Sequence, residues 1–238
     1  MTAGRVERLP WDSEFWGVEA GRAFVDELDH LGEAEEQSQE LGLTWVSLLV
    51  PTHRLDIVNS ALRSGYEMVD VRLTLRLAGP IPATDRVFSL ATADDSAELS
   101  KIATSAFGLS RFFVDKHLDD HLCARFYERW VENSFNGQMA DAVVVTKTNG
   151  DMDGFISLRC AMGGPGSLPL VAVRTDRRKQ GVAAGLLACS LSWMKSRDAK
   201  SIEVVTQASN ISAVRLYESA GFKIVDTSIW LHRWAETG

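Results

Sequence analysis

The densest chemistry in the sequence lies at Arg174-Thr175-Asp176-Arg177-Arg178-Lys179-Gln180-Gly181-Val182-Ala183-Ala184, where four basic side chains fall within six positions of an acidic chain. The apolar run Leu168 to Val173 leads into it with the character of a strand. Val182, Leu186, Leu187, Leu191 and Met194 follow with the spacing of a helix that buries one face. The first turn of a helix offers amide N–H groups without intrahelical partners and a partial positive charge. Small residues at 181, 183, 184 and 185 let a ligand approach the backbone closely. Together these features predict a pyrophosphate site. It is neither a Walker loop, which needs G-K-[ST], nor the dinucleotide G-x-G-x-x-G.

Other constellations carry less chemistry. His117-Leu118-Asp119-Asp120-His121 sets two imidazoles at i, i+4, a spacing with which a helix can aim ligands at zinc. The Glu of H-E-x-x-H is missing and no third ligand is evident, so no metal site is expected. Cys123, Cys160 and Cys189 are odd in number and far apart, without C-x-x-C, which predicts neither a disulfide frame nor a zinc site and suits a reducing cytoplasm. Gly163-Gly164-Pro165-Gly166 could cradle a phosphate, but no helix follows it, and it is read as a turn.

The elements that must position this loop read as a mixed α/β chain. Ala78-Gly79-Pro80-Ile81-Pro82 breaks an alternating strand pattern and predicts a linker, with an N-terminal domain over 1–80 and a second domain over 81–238. Before the linker come a strand from Trp45, a helix over 52–63 stopped by Gly65, and a strand over 66–77. The same order recurs as a strand over 202–206, a helix over 212–220 stopped by Gly221, and a strand over 222–234. Residues 45–76 lie over 201–232 without a gap, with identities at Val58/Val214, Gly65/Gly221, Val69/Val225, Asp70/Asp226 and Leu75/Leu231. Two chance-similar units and a degenerate copy of one fold half both accommodate that match. Between the two lie helices over 94–107 and 126–135, then strands over 142–148 and 155–160 joined by a turn-rich loop over 149–154.

Arg178-Lys179-Gln180-Gly181-Val182-Ala183 fits R-x-x-G-x-A, five residues after Val173, and resembles the acetyl-CoA loop of the GCN5-related N-acetyltransferase (GNAT) superfamily. The companion elements stand in order: a strand over 202–206, Asn210, a short helix carrying Tyr217, Gly221-Phe222, and a closing strand. The resemblance tightens toward bacterial dTDP-fucosamine acetyltransferases, which acetylate the amine of dTDP-4-amino-4,6-dideoxygalactose. It is carried by Leu9-Pro10-Trp11-Asp12-Ser13-Glu14-Phe15-Trp16-Gly17-Val18, Ser110-Arg111-Phe112, Arg125-Phe126-Tyr127, Trp130, Glu132-Asn133, Ser157-Leu158-Arg159 and Thr206-Gln207 with Asn210. It covers nearly the whole chain and departs over 112–124.

The resemblance implies a GNAT acyltransferase fold with a small N-terminal α/β domain like a degenerate half of it. It also implies acetyl-CoA as cosubstrate and direct transfer within a ternary complex. Tyr217 would be the general acid. Val171, Ala172 and Val173 would hold the thioester oxygen and pantetheine through backbone N–H groups, on a strand that splays from its neighbour. Arg178, Lys179, Gln180, Gly181, Val182, Ala183 and Ala184 would bind the CoA phosphates, with Asn210 and Ala213 at the pantetheine arm. Asn210 is also read as a plain helix cap. Arg111, Tyr127 and Arg159 would contact the nucleotide-sugar acceptor, with Arg125, Arg129 and Trp130 as further candidates; helix packing is the other reading of Tyr127 and Trp130. Ala61 stands where the N-terminal copy would need a Tyr, so only the C-terminal copy can be an active site of this type. A different small amine as acceptor, or a catalytically silent acyl-CoA or nucleotide-sugar module, stays open.

Composition sets bounds on the rest. With 238 residues, 45% hydrophobic and 24% charged, the chain suits one large or two small packed domains. A net charge of -7 disfavours broad nucleic-acid binding. No apolar run reaches the roughly 20 residues of a membrane span, and the first residues lack the apolar core of a signal peptide. A cytoplasmic enzyme without a membrane partner is expected, and a homodimer stays open.

Overall fold

A computed structural model describes residues 4–82, 84 and 89–235. In chain order the elements are β1 (Arg5–Arg8), α1 (Pro10–Trp16), β2 (Ala20–Phe24), α2 (His30–Glu40), β3 (Trp45–Pro51), α3 (Leu55–Arg63), β4 (Glu67–Ala78), β5 (Ser89–Leu90), α4 (Ser96–Ala106), α5 (Arg111–Val114), α6 (Asp120–Phe135), β6 (Ala142–Thr148), β7 (Asp151–Cys160), β8 (Gly166–Leu168), β9 (Val171–Val173), α7 (Val182–Ser196), β10 (Ser201–Gln207), α8 (Ile211–Ser219) and β11 (Lys223–Trp234). The chain divides into two compact units. The first comprises Met1–Arg72, Ser110–Asp119 and Asp226–Gly238; the second comprises Leu73–Leu109 and Asp120–Val225.

In the first unit β1 pairs antiparallel with β2, β2 parallel with β3, and β3 antiparallel with β11. The register aligns Ala20 with Trp45 and Trp234, and Arg22 with Ser47 and His232. Side chains alternate between faces along a strand. One face therefore carries Ala23, Val46, Leu48, Val50, Ile229 and Leu231, buried with Leu31 and Ala34 of α2 and Ile57, Val58 and Ala61 of α3. Each Val, Leu and Ile side chain among them contributes roughly 1.5–3 kcal/mol by leaving water. The opposite face carries Arg22, Trp45, Ser47, Trp230, His232 and Trp234. Trp16, at the end of α1, stacks on Phe112 of α5 at 5.4 Å and meets Trp45 edge-on at 6.1 Å. Pro10 opens α1 and Gly17, at φ 68°, closes it in the left-handed conformation that glycine adopts without cost.

In the second unit the strand order is β4-β10-β8-β7-β6-β5, with β9 paired to β7. Leu75, Ile156, Leu158, Leu186, Leu187, Met194, Ile202 and Phe222 are among the side chains that close its core. The helix read over 126–135 starts earlier, at Asp120, and two further differences from the sequence reading bear on the site. The β6–β7 loop is two residues long, because Asn149 and Gly150, at φ 56° and 92°, make a tight hairpin turn and release 151–154 to the strand. The apolar run Leu168 to Val173 is two short strands. Its register against β7 slips by one residue between the Arg159↔Ser167 and Ile156↔Val171 pairs. Pro169, which has no N–H, occupies this bulge. Ser157 holds it, its Oγ accepting the Leu170 N–H at 2.9 Å.

The repeat seen in the sequence extends to element boundaries. β3, α3 and β4 begin and end at positions that, displaced by 156 residues, are those of β10, α8 and β11. Gly65 and Gly221 close the two helices at φ 82° and 93°. The last strand of each copy is exchanged: β11 lies beside β3, and β4 lies beside β10.

Candidate active site

A 3-10 turn at Thr175–Arg177 connects β9 toward α7. Two of its four cations are neutralised locally. Arg174 Nε donates to Asp176 Oδ1 at 2.7 Å, and Arg177 Nε lies 3.1 Å from a carboxylate oxygen of the buried Asp153. Arg178 and Lys179 have no ion-pair partner among the described residues. Lys179 and Gly181 adopt φ 60° and 80°, and Gly181 is the N-cap of α7 without a side-chain cap. The first amides of this 15-residue helix are left unpaired beside two unneutralised cations, which is the chemistry of an anion site. Gln180 Nε2 donates to Asp176 O at 2.8 Å and braces the loop from within.

The bulge at Pro169 sets up a second feature. Arg174 donates its N–H to Asp153 O, and Ser157 donates its N–H to Leu170 O. By the alternation of an antiparallel ladder, Ala172 then bonds Phe155, while Val171 and Val173 turn their backbone groups to the opposite edge. Among the described residues β9 has no strand partner on that edge, because β10 pairs with β8 instead. The Val173 carbonyl there accepts from Arg178 Nε at 3.2 Å. An unpaired strand edge of this kind offers N–H donors to an extended polar ligand.

Tyr217 lies on α8, packed in the core with its ring 5.9 Å from Phe222. Burial pushes its phenol up from the ordinary value of 10. No group among the described residues hydrogen-bonds its hydroxyl. Asn210 caps α8, its Oδ1 accepting the Ala213 N–H at 3.2 Å, so the amide nitrogen of Asn210 keeps its donors for a ligand. A groove of about 810 Å³ runs along α4 and the loop, lined by Asp94, Glu98, Lys101, Ser105, Met152 and Arg174 among others.

The acceptor candidates fall in different units. In the first, the Arg111 guanidinium stands 3.8 Å from the Trp230 ring centroid and 4.6 Å from that of Phe112. In the second, Tyr127 is buried, stacked on Phe107 at 4.3 Å and parallel to Trp130 at 6.2 Å. Arg159 is exposed, with Nη1 donating to Gln138 O at 3.2 Å. His117 lies before α6 and His121 within it, so the two do not share a helix face. His117 instead bonds Asp115 Oδ1 at 3.1 Å. Sequence reasoning missed the buried Asp115–His232 pair, whose partners stand 117 residues apart, and the role of Ser157 at the bulge, which depends on the register of β9 against β7.

The acetyltransferase (GNAT) domain family matches residues 101–230, more than half the chain. The dTDP-fucosamine acetyltransferase of Escherichia coli O6:H1 is 25% identical over 232 residues, covering 96% of this chain and 97% of the relative. The spore coat polysaccharide biosynthesis protein SpsD of Bacillus subtilis is 28% identical over 140 residues, which is 59% of this chain and 48% of that one. A GCN5-related N-acetyltransferase from Sphaerobacter thermophilus shares the fold, with a TM-score of 0.67 at 17% identity, over 99% of this chain and 78% of that one. The uncapped helix start and the splayed strand edge suit that chemistry, and the family match carries the conclusion: the chain belongs to the GNAT acetyltransferases and is an acetyl-CoA-dependent N-acetyltransferase.

Proposed function

We propose that the chain acetylates the amine of a nucleotide-linked deoxy amino sugar, with dTDP-4-amino-4,6-dideoxygalactose as the acceptor. The observation that carries the reading is the full-length match to an enzyme named for that class of substrate, which includes the first unit and its Ser110-Arg111-Phe112 segment. The second unit is the catalytic one, and the first is non-catalytic, with Ala61 where the second has Tyr217.

Acetyl-CoA supplies the acetyl group as a thioester. Arg178 and Lys179, with the amides from Gln180 to Ala184, suit its pyrophosphate in charge and in donor geometry. The edge amides of Val171 and Val173 serve as donors to pantetheine and to the thioester oxygen, where negative charge develops during attack. Ala172 holds the edge in place through its pairing with β7. Asn210 and Ala213 present the start of α8 to the pantetheine arm. Tyr217 keeps its proton through the physiological range and gives it up as the C–S bond breaks. At ordinary values a phenol near 10 and a thiol near 8.5 are mismatched by roughly 2 kcal/mol. Burial widens that gap, so donation is concerted with bond cleavage. Within the second unit, Tyr127 and Arg159 serve the acceptor.

A CoA-release assay over dTDP-4-amino sugars, with free amino sugars, amino acids and peptides as controls, tests the reading. The expected result is preference for a dTDP-linked amine. Faster turnover of a free amine assigns a different small-molecule acceptor, and binding without turnover marks a silent module.

A further inference from the structure

We propose that Asp153 is a positioning residue for the cosubstrate: it pins both ends of the turn that leads into α7 and withdraws Arg177 from the phosphates. The proposal rests on the reading of the α7 loop as the phosphate site, and all of its residues lie in the second unit. The register of β6 on β7 pairs Thr146 with Gly154 and Lys147 with Met152, so Asp153 is the extra residue of a β-bulge. A bulge re-aims the side chain it carries. Here the carboxylate is buried, with 3% of the side chain exposed.

Three contacts converge on Asp153. Its carbonyl accepts the Arg174 N–H at 2.8 Å, where the 3-10 turn begins. Carboxylate Oδ2 accepts from Thr148 Oγ1 at 2.6 Å. Carboxylate Oδ1 stands 3.1 Å from Nε of Arg177, the last residue of the turn. That contact is one of charge, since neither atom makes a hydrogen bond among the described residues. Gly154, the next residue, lets β9 come close: a Cβ there would stand 2.5 Å from the Ala172 carbonyl oxygen. The turn is thus fixed at both ends before a ligand arrives. Lys179 needs such support, because its φ of 60° is one that residues with a Cβ rarely hold unaided. The four cations divide accordingly: Arg174 and Arg177 are struts, and Arg178 and Lys179 are left for the ligand.

Charge and position predict opposite signs. If Asp153 only offset a cation, removing its charge would release Arg177 to the phosphates and tighten acetyl-CoA. A positioning role predicts the reverse. Calorimetric titration of the full chain with acetyl-CoA is expected to show Asp153→Asn weakened about 10-fold. Arg177→Gln should lose a similar factor, Arg177→Lys should recover part of it, and the double variant should be no worse than either single one. With the amine that turns over fastest, the loss should fall in KM for acetyl-CoA, with kcat within about twofold. Thr148→Val keeps the carboxylate and drops only its exposed donor; it should weaken acetyl-CoA about threefold and serves if Asp153→Asn does not fold. Unchanged or tighter binding by Asp153→Asn or, in its place, Thr148→Val overturns the proposal, as do additive losses in the double variant or a loss confined to kcat. Lys179→Gln tests the reading beneath it. If Lys179→Gln weakens acetyl-CoA and Asp153→Asn does not, the phosphate site stands and the positioning role falls. If Lys179→Gln changes nothing, the phosphate site falls and the positioning role with it.

Discussion

His232 donates from Nδ1 to Asp115 Oδ2 at 2.6 Å, with both side chains 1% exposed. Asp115 also accepts from Trp234 Nε1 at 2.9 Å and from the His117 amide at 3.0 Å. Burial alone would raise the Asp115 carboxyl, but the donors from His232, Trp234 and His117 outweigh it and hold the carboxyl down at about 2. Burial pushes His232 down to about 4 against the pull of its carboxylate partner, and the Arg111 charge adds to the fall. At neutral pH the pair is therefore an ionised carboxylate and a neutral imidazole with its proton on Nδ1. It ties α5 and the 115–117 turn to β11 within the first unit.

Both groups have folded-state pKa values below their unfolded ones, so each contributes stability at higher pH that is lost as pH falls. The His232 part disappears between pH 6.5 and about 4, and the Asp115 part between 3.8 and about 2. The His232 part is on the order of 3 kcal/mol. Urea midpoints of the wild type should begin to drop below about pH 6.5, and His232→Gln should flatten the curve from there to pH 4. A wild-type curve that is level across that window rules the coupling out.

Tyr217→Phe removes one oxygen from a buried ring that otherwise packs unchanged. Turnover should fall on the order of 10²–10⁴-fold while acetyl-CoA affinity stays nearly constant. Because burial raises the phenol above 10, the wild-type turnover profile should show no alkaline limb from this residue up to that pH. Steady-state kinetics from pH 6 to 10, paired with direct CoA titration, read both effects.

Ser157→Ala leaves the Leu170 amide buried without its partner, at a cost of about 1–3 kcal/mol. The same change loosens the bulge that turns Val171 and Val173 toward the free edge. Thermal denaturation should show the stability loss, and KM for acetyl-CoA should rise more than kcat falls. Unchanged KM in a destabilised variant would separate the bulge from cosubstrate binding.

Gly181→Ala puts a side chain at φ 80° where no neighbouring atom lies within 4 Å, so the penalty is conformational rather than steric. A residue with a Cβ in the left-handed region costs about 1–2 kcal/mol. The α7 entry should relax, with acetyl-CoA affinity falling about 3–30-fold and the far-UV spectrum unchanged. Calorimetry against acetyl-CoA measures it.

Local spacing by itself determined the 174–184 loop, the helix behind it, Tyr217 and Asn210 on one short helix, and the repeat displaced by 156 residues. These depend on contacts within a few residues, and α-helical and β periods record such contacts directly. The strand exchange that lays β11 on β3 was not legible, because hydrogen bonds between strands nearly two hundred residues apart leave no periodic trace. The resemblance implied a splayed strand, but its place at Pro169 was hidden: Leu168 to Val173 is apolar throughout, and only the one-residue slip against β7 shows where it changes partner. The Asp115–His232 bond and the Arg111 guanidinium on Trp230 were decided by the tertiary structure alone. Each joins side chains from distant segments through a register that a single-residue slip would have turned to the opposite face.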